Sequence, residues 1–180
     1  MKFMIASDIH GSAYYCEKLI TAYKNEKADR LLLLGDILYH GPRNELPRDY
    51  APKRVAAMLN EYADSIFCVK GNCEAEVDSL MLDFSVEAEY CLIPTAGRLI
   101  FASHGHHFGE NNPPKHSKGD IILTGHTHIP ACVEHETYLY VNPGSVSIPK
   151  NGSAHGYMIF DGEGFVWKDL DGNIYNEYKL

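Results

Sequence analysis

The stretch Leu31-Leu32-Leu33-Leu34-Gly35-Asp36 predicts the core of the fold. Four apolar residues run without a polar break into a glycine and a carboxylate. A short, wholly apolar run that ends at a turn signal is typical of a strand buried on both faces, and therefore of an interior strand of a parallel sheet. Asp36 then follows the carboxyl end of that strand, where open α/β sheets bind their ligands. Taken alone, such an aspartate could equally be a turn or helix cap.

The residues around this strand predict a β-α-β-α-β unit. Phe3–Ala6 and residues 66–69 are further short apolar runs. Between these runs, apolar residues recur at helical spacing in two segments, one covering residues 16–23 and one starting near Pro52, a favoured first-turn residue. This alternation predicts parallel strands joined by right-handed crossovers.

The carboxyl-terminal part of the chain has a different pattern. After a short helix expected at residues 77–82, strand-like runs follow at short intervals, and turn pairs such as Asp161-Gly162 indicate hairpins. We therefore expect mostly antiparallel sheet here. The predicted strands are residues 90–93, 99–103, 121–124, 131–134, 138–142, 157–160, 165–170 and 174–178. Because no linker or repeat interrupts the chain, residues 1–180 are predicted to form one domain.

Composition limits the classes of function. A hydrophobic content of 45% and a charged content of 22% are ordinary for a soluble globular protein. No run approaches the roughly 18 apolar residues of a membrane span, and the amino terminus does not resemble a signal peptide. The five cysteines form no CxxC pair, which favours a reducing cytoplasm. A net charge of −8 argues against nucleic-acid polymers and anionic membranes, but it permits a small anionic substrate beside bound metal.

Residue types that bind metals follow five of the predicted strands. They are Asp8, His10, Asp36, Asn72, His104, His126 and His128. Each segment contains a glycine, which permits tight turns and close backbone approach. We expect all five segments to meet at the carboxyl edge of one sheet. An isolated HxH pair would be a weak signal, but four histidines and two carboxylates buried together without a compensating cation would be costly.

The donor set indicates the metals and the chemistry. Imidazole, carboxylate and amide donors favour Mn, Fe, Zn, Co or Ni over Mg and Ca, with manganese as our first expectation. Seven side chains can give two ions four ligands each only if one is shared, and Asp36 is the natural bridge because each of its oxygens can take an ion. Two divalent ions, two carboxylates and a hydroxide leave a charge of about +1, which suits one phosphodiester anion attacked by a metal-bound hydroxide.

The order and spacing of these residues resemble the calcineurin-like metallophosphoesterase superfamily. The segments 35–44, 71–74, 104–106 and 142–147 are most similar to the small bacterial YfcE-type phosphodiesterases. The resemblance implies an α/β fold, a four-layer αββα sandwich of two mixed β-sheets flanked by helices. It also implies one ion held by Asp8, His10, Asp36 and His128, a second held by Asp36, Asn72, His104 and His126, and an acidic supporting residue at Glu74.

One position departs from the pattern of the superfamily. Most members have a histidine after Gly-Asn that protonates the leaving group, whereas this chain has Cys73, as is usual in the YfcE-type branch. Cys73 is either a small core residue or a proton donor, and two nearby dications should favour its thiolate, which is a poor acid. We therefore expect better hydrolysis of diesters with activated leaving groups than of alkyl monoesters. His106 is either a substitute acid or an exposed loop residue.

The remaining site assignments concern the substrate. Asn72 and His104 are assigned to catalysis as well as to metal binding. His40 is a candidate phosphate contact, and Arg43 is either a phosphate clamp or a structural ion-pair partner. Alternative functions on the same site are a phosphomonoesterase, a cyclic-nucleotide phosphodiesterase, for which no base pocket is identifiable, and a catalytically weak metal-binding scaffold. Open strand edges could pair two copies of the chain into a homo-oligomer.

Overall fold

The computed structural model describes residues 1–180, and in it the four leucines of the 31–34 run are fully buried. Strand β2 (Arg30–Leu33) pairs in parallel with β1 (Phe3–Ala6) on one side and with β3 (Ile66–Cys68) on the other. Alternate leucines face a helical layer and a second sheet. The predicted interior parallel strand is confirmed.

Both α-helices lie in the amino-terminal part and pack on the same face of this sheet. Helix α1 (Ala13–Glu26) is capped by Ser12, whose side chain accepts a hydrogen bond from the Tyr15 backbone N–H. Helix α2 (Pro52–Asn60) begins at the predicted proline. The short helix expected at residues 77–82 is a 3₁₀-helix at Glu76–Leu80. No helix has the length and apolar composition needed to cross a membrane.

Eight further strands complete two mixed sheets. They are β4 (Tyr90–Thr95), β5 (Arg98–Ser103), β6 (Asp120–Leu123), β7 (Pro130–Glu134), β8 (Tyr138–Pro143), β9 (Gly156–Phe160), β10 (Gly164–Asp169) and β11 (Ile174–Lys179). The six-stranded sheet has the order β11-β10-β9-β1-β2-β3, and the five-stranded sheet has the order β4-β5-β6-β8-β7. Most pairings of these later strands are antiparallel, as predicted, but β5, β6 and β8 are parallel because the chain crosses over between them.

The two sheets pack face to face around one of the two apolar cores. Trp167 is fully buried there, and its indole N–H donates to the backbone oxygen of Asn142 at 2.7 Å. The fold of two mixed sheets is therefore confirmed, but helices flank only the six-stranded sheet. Residues 105–119, which contain two prolines and three glycines, cover the outer face of the other sheet as irregular structure because this composition disfavours a helix.

Candidate metal centre

The seven predicted ligands converge, but they come from two sheets. Asp8, His10, Asp36 and Asn72 follow β1, β2 and β3 of the six-stranded sheet, whereas His104 and the two histidines of the 126–128 segment follow β5 and β6 of the other. The expectation that all five segments share one sheet is therefore wrong. The sandwich brings the carboxyl ends of both sheets together, and His104 spans them by donating from Nδ1 to the Leu34 backbone oxygen at 2.6 Å.

Most of these ligands have a strained backbone. Five of the eight non-glycine residues with positive φ are candidate ligands, with φ between 48° and 66°. They are Asp8, His10, Asp36, His126 and His128. The left-handed conformation is uncommon outside glycine, and such strain persists where the surrounding structure holds it in place for function.

The neighbouring glycines are required by close approach. A Cβ on Gly71 would overlap the side chain of Asp36 and lie 2.6 Å from the Glu74 carboxylate. A Cβ on Gly35 would lie 2.5 Å from the backbone nitrogen of Gly71. The loops after β2 and β3 can therefore touch only because both residues lack a side chain, and this contact places Asp36 beside Asn72.

Asp8, His10 and His128 form one part of the centre, here called the Asp8 side. Their exposed fractions are 0%, 1% and 3%. His10 donates from Nδ1 to the Tyr39 oxygen at 2.8 Å, and His128 donates from Nδ1 to the Ile148 oxygen at 2.7 Å. These bonds turn both Nε2 atoms toward the centre, where they face each other at 3.2 Å and are acceptors in the neutral rings.

Asn72, His104 and His126 form the other part, the Asn72 side. His104 is fully buried, His126 is half-buried and Asn72 is exposed. The Nε2 atom of His104 lies 3.0 Å from Asn72 Oδ1 and 3.1 Å from His126 Nδ1. Its Nδ1–H is donated to Leu34, so Nε2 is the ring atom that His104 turns toward Asn72 and His126.

Asp36 lies between the two sides. Its Oδ2 atom is 3.7 Å from His10 Nε2 and 3.4 Å from His104 Nε2, whereas Oδ1 accepts a hydrogen bond from the Cys73 backbone N–H at 2.9 Å. Glu74 holds the Asp36 turn, because its carboxylate accepts from the backbone N–H groups of Asp36 at 2.9 Å, of Ile37 at 2.7 Å and of Gly71.

The end of β8 and the segment after it support the ligand loops from the other direction. The hydroxyls of Ser145 and Ser147 donate to the backbone oxygen of Asp8 at 2.9 and 3.0 Å. The Asn142 amide donates to the Gly125 oxygen at 2.7 Å. This network fixes the loops that present Asp8 and the two histidines of the 126–128 segment.

The electrostatics of the centre follow from burial and from the close contact of unlike charges. Burial alone would raise the pKa of Asp8, but the adjacent His10 and His128 hold it well below its usual value. Burial lowers the pKa of His104, yet the neighbouring Asp36 carboxylate raises it to about 9. Burial and the charge of His104 lower the pKa of His126 to about 4. The two carboxylates thus attract positive charge, and protons and metal ions compete for this site.

The donor atoms fit bound metal ions. Asp8 Oδ1 is buried and accepts no hydrogen bond, and the lone pairs of His10 and His128 face each other at a distance that is repulsive without a cation between them. Three clusters of ligand atoms, each within 4.8 Å, involve the predicted residues: Asp8 with His10 and His128, Asp8 with Asp36 and His104, and His10 with Asp36 and Cys73.

A polar cleft of about 480 Å³ opens over the centre. Among the predicted catalytic and substrate residues, Cys73 and Arg43 line it, together with Asn72. Cys73 is half-buried at the wall of the cleft rather than in a core, and burial beside the Asp36 carboxylate raises the pKa of its thiol. Its Sγ accepts from the Asn72 side-chain amide at 3.2 Å.

Two predicted residues that are not metal ligands, His40 and His106, lie outside the lining of the cleft. The His40 ring packs edge-on against Tyr39 and Tyr50. His106 is half-buried, and its ring centroid is 5.4 Å from that of His104 and 6.2 Å from that of His126, so it borders the Asn72 side. Sequence reasoning missed Lys150, which lines the cleft and carries no sequence signal of its own.

A separate apolar cleft of about 550 Å³ lies between the edge strands β3 and β4 and contains none of the predicted ligands. Phe67 and Leu92 line it with 53% and 50% of their surface exposed. These open edges are compatible with the predicted homo-oligomer, which stays a prediction.

Comparisons with known proteins agree with this geometry. The family profile described as the calcineurin-like phosphoesterase superfamily domain matches residues 1–164. Phosphodiesterase YfcE of Escherichia coli strain K12 is 42% identical over 163 residues, which cover 91% of this chain and 89% of that protein. The solved structure of YfcE, described as a phosphoesterase from E. coli, superposes with a TM-score of 0.95 at 39% identity and covers 99% of each chain.

A more distant structure shares only the fold. Vacuolar Protein Sorting 29 from Cryptosporidium parvum has a TM-score of 0.64 and 16% identity, with 99% of this chain and 98% of that chain covered. At this identity the likeness shows the arrangement of the sheets alone.

Proposed function

The chain belongs to the calcineurin-like phosphoesterase superfamily, in its YfcE-type branch, and is a metal-dependent phosphoesterase; from this premise we propose that it hydrolyses small phosphodiesters with the help of two divalent transition-metal ions. The observation that carries the proposal is the set of imidazole nitrogens and buried carboxylate oxygens that face one another around Asp36. YfcE, a named phosphodiesterase at 42% identity, supports the diester class.

The proposed ligand sets follow the two sides of the centre. Asp8, His10, His128 and Asp36 would hold one ion, and the Asn72 side together with Asp36 would hold the other. Asp36 is the residue that we propose to be shared, because its Oδ2 atom faces the histidines of both sides while Oδ1 accepts from the Cys73 N–H. When bound, the two ions would supply hydroxide from water near neutral pH and positive charge for the phosphate oxygens. Manganese is our first expectation.

The protein's own residues would orient these ligands and bind the substrate. Backbone oxygens fix the tautomers of His10, His104 and His128, so that each presents Nε2 to the centre. Glu74 holds the Asp36 turn through three backbone N–H groups. Arg43 and Asn72 line the cleft where the diester would lie, and no imidazole other than the ligand rings lines it.

The leaving group decides which esters are favoured. Cys73 is the candidate proton donor that lines the cleft, and a thiol is a weak acid for an alkoxide leaving group. We therefore propose that diesters with nitrophenol-like leaving groups, which depart without protonation, are hydrolysed faster than alkyl monoesters. We also place the protein in the cytoplasm, with which its five unpaired cysteines are compatible.

A metal and substrate panel tests the proposal. The protein is stripped with a chelator, reloaded with Mn, Zn, Ni or Mg, and assayed with bis(p-nitrophenyl) phosphate and p-nitrophenyl phosphate, while bound metal is counted by mass spectrometry. We expect about two transition-metal ions per chain and faster hydrolysis of the diester. A chain that binds one ion at full activity would contradict the two-ion centre. A chain that hydrolyses neither ester with any metal would favour the scaffold alternative.

A further inference from the structure

We propose that the substrate carries a second negative charge, on the arm of the diester that is not cleaved, and that Lys150 and Arg43 bind it. The proposal rests on the function proposed above and names the class of substrate within it. It concerns the walls of the cleft, and Lys150 has no role in the metal centre.

The two cations come from separately anchored turns. Lys150 follows the 142–147 segment, and its backbone N–H donates to the oxygen of His128 at 3.1 Å. The same residue's oxygen accepts from the Ser153 N–H at 3.0 Å and from the Ser153 hydroxyl at 2.7 Å, so its backbone is held on both sides. Its position is thereby tied to a ligand of the Asp8 side.

Arg43 lies in a turn that packs on the other part of the centre. The Asn44 backbone N–H donates to the Gly41 oxygen at 3.3 Å, and the Asn44 amide donates to the His40 oxygen at 2.8 Å. A Cβ on Gly41 would lie 3.1 Å from Cys73 Sγ, which shows that this turn rests against the residue next to Asn72. The cleft is therefore lined by a cation from each of two turns.

Neither cation has an acidic partner within the chain. The lysines and arginines that form ion pairs are Lys2, Lys18, Arg54, Lys70 and Lys168. Apart from the ligand Asp36, no acidic side chain lines the cleft. In a protein with a net charge of −8, two unpaired cations beside the centre form a local positive region that attracts anions.

The charge count indicates where the extra anion belongs. Two dications, two carboxylates and one hydroxide leave about +1, which one phosphodiester neutralises. Arg43 and Lys150 then add two charges that the reacting phosphate does not match. A phosphate monoester on the second arm would match both charges, and a carboxylate would match one of them.

The lining also selects against an apolar or aromatic arm. Pro42 and Cys73 are the only residues with an apolar character among the 11 that line the cleft, and no Phe, Tyr or Trp is among them. Nucleobase recognition usually uses stacking on an aromatic side chain. The amides and hydroxyl of Asn44, Asn72 and Thr127 suit a polar arm instead.

The test uses p-nitrophenyl phosphodiesters that share one leaving group and differ in the end of the other arm, which is a carboxylate, a hydroxyl or a trimethylammonium group at equal length. Each exposed charge pair contributes up to about fivefold, so we expect kcat/KM to fall in that order, about tenfold or more between carboxylate and trimethylammonium.

Lys150→Gln should lower the ratio of kcat/KM for the carboxylate substrate to kcat/KM for the hydroxyl substrate about threefold, through KM. Lys179→Gln, on the edge strand β11, is the matched control and should keep the ratio.

A binding measurement separates this proposal from the proposed function. Dissociation constants of the corresponding non-hydrolysable phosphonates, measured by calorimetry on the metal-loaded protein, should show the same order and a weaker salt dependence after Lys150→Gln. Equal affinities for the three arms would overturn the proposal even if the diesters are hydrolysed. An effect of Lys150→Gln that is largest for p-nitrophenyl phosphate would also overturn it, because the cations would then serve the dianionic phosphate of a monoester. Absent hydrolysis would overturn the proposed function, while the order of affinities would still decide this one.

Discussion

The Asp8 side and the Asn72 side of the centre use similar donor atoms but differ in burial and anchoring. Asp8, His10 and His128 are at most 3% exposed, and backbone oxygens fix both histidines. On the Asn72 side, only His104 has such an anchor, His126 is half-buried and Asn72 is exposed. Because pre-organised and desolvated ligands lose less freedom when they bind, we expect the Asp8 side to hold its ion more tightly.

The largest effect should come from the residue that both sides share. Asp36→Asn removes the charge of the proposed bridge but keeps an amide that tolerates the left-handed φ of 56° and can still accept from Cys73 N–H. We expect both ions to be lost and activity on bis(p-nitrophenyl) phosphate to fall more than about 100-fold, the upper range for residues that only support a ligand. Bound metal per chain and kcat/KM are the measurements.

Asp49→Asn is the control for this change. Asp49 also has a positive φ, of 52°, and lies outside the centre, so its variant should keep both ions and full activity. Two bound ions and normal turnover in Asp36→Asn would show that Asp36 is not the bridge.

Two histidines of the same loop test directly whether the Asp8 side holds its ion more tightly than the Asn72 side. His126→Asn and His128→Asn place the same residue at φ values of 66° and 61°, so backbone strain is matched. We expect His128→Asn to weaken one ion about 100-fold and His126→Asn about tenfold, because solvent can replace the half-exposed ring more readily than the buried one. Stepwise removal of metal by a competing chelator measures both. Equal losses would show that burial does not distinguish the two sides.

The Glu74→Gln variant tests whether the residue that supports Asp36 matters as much for activity and metal affinity as the ligands themselves. Its carboxylate accepts three backbone N–H groups, and a glutamine would turn an N–H₂ group toward at least one of these donors. We expect Glu74→Gln to lower activity about tenfold and to loosen metal on both sides. The exposed neighbour Glu76→Gln should change neither quantity. An unchanged metal affinity in Glu74→Gln would mean that the Gly35 and Gly71 contact alone holds the turn.

The sequence predicted the first sheet well for a physical reason. A strand buried on both faces must be wholly apolar, so the 31–34 run and the runs before and after it have a strong local signal. What the sequence could not show was the sheet to which each later strand belongs, because strand pairing depends on contacts distant in the chain. The prolines and glycines of residues 105–119 disfavour a helix, and this segment forms none over the five-stranded sheet.

The site was predictable where residue type and position agree. Each of the seven candidate ligands follows a strand in a segment that contains a glycine, and the structure brings all seven together, although their roles as ligands stay a prediction. Lys150 was not predictable, because it is one of 16 lysines and arginines and reaches the cleft only through a turn anchored to His128. His40 is close to Asp36 in sequence but is not among the residues that line the cleft, and its contact with phosphate stays a prediction.

The smallest effect should come from the wall of the cleft on the Asn72 side. Cys73→His would place an imidazole where most of the superfamily has one, next to Asn72 and lining the cleft. A positioned general acid contributes about 10²–10⁴-fold, but one introduced without its supporting residues should realise only part of this, about fivefold. Because a p-nitrophenolate departs without protonation, the gain should appear in alkyl monoesters and raise the ratio of monoester to diester rates.

Cys73→Ser separates this gain from the loss of the sulfur. The serine hydroxyl can still accept from the Asn72 amide, as Sγ does at 3.2 Å, so it should keep Asn72 oriented while adding no acid near neutral pH. The ratio of monoester to diester rates should therefore rise in Cys73→His and not in Cys73→Ser. An equal ratio in both variants would mean that the leaving group takes its proton from elsewhere, and His106, which borders the Asn72 side, would become the residue to replace next.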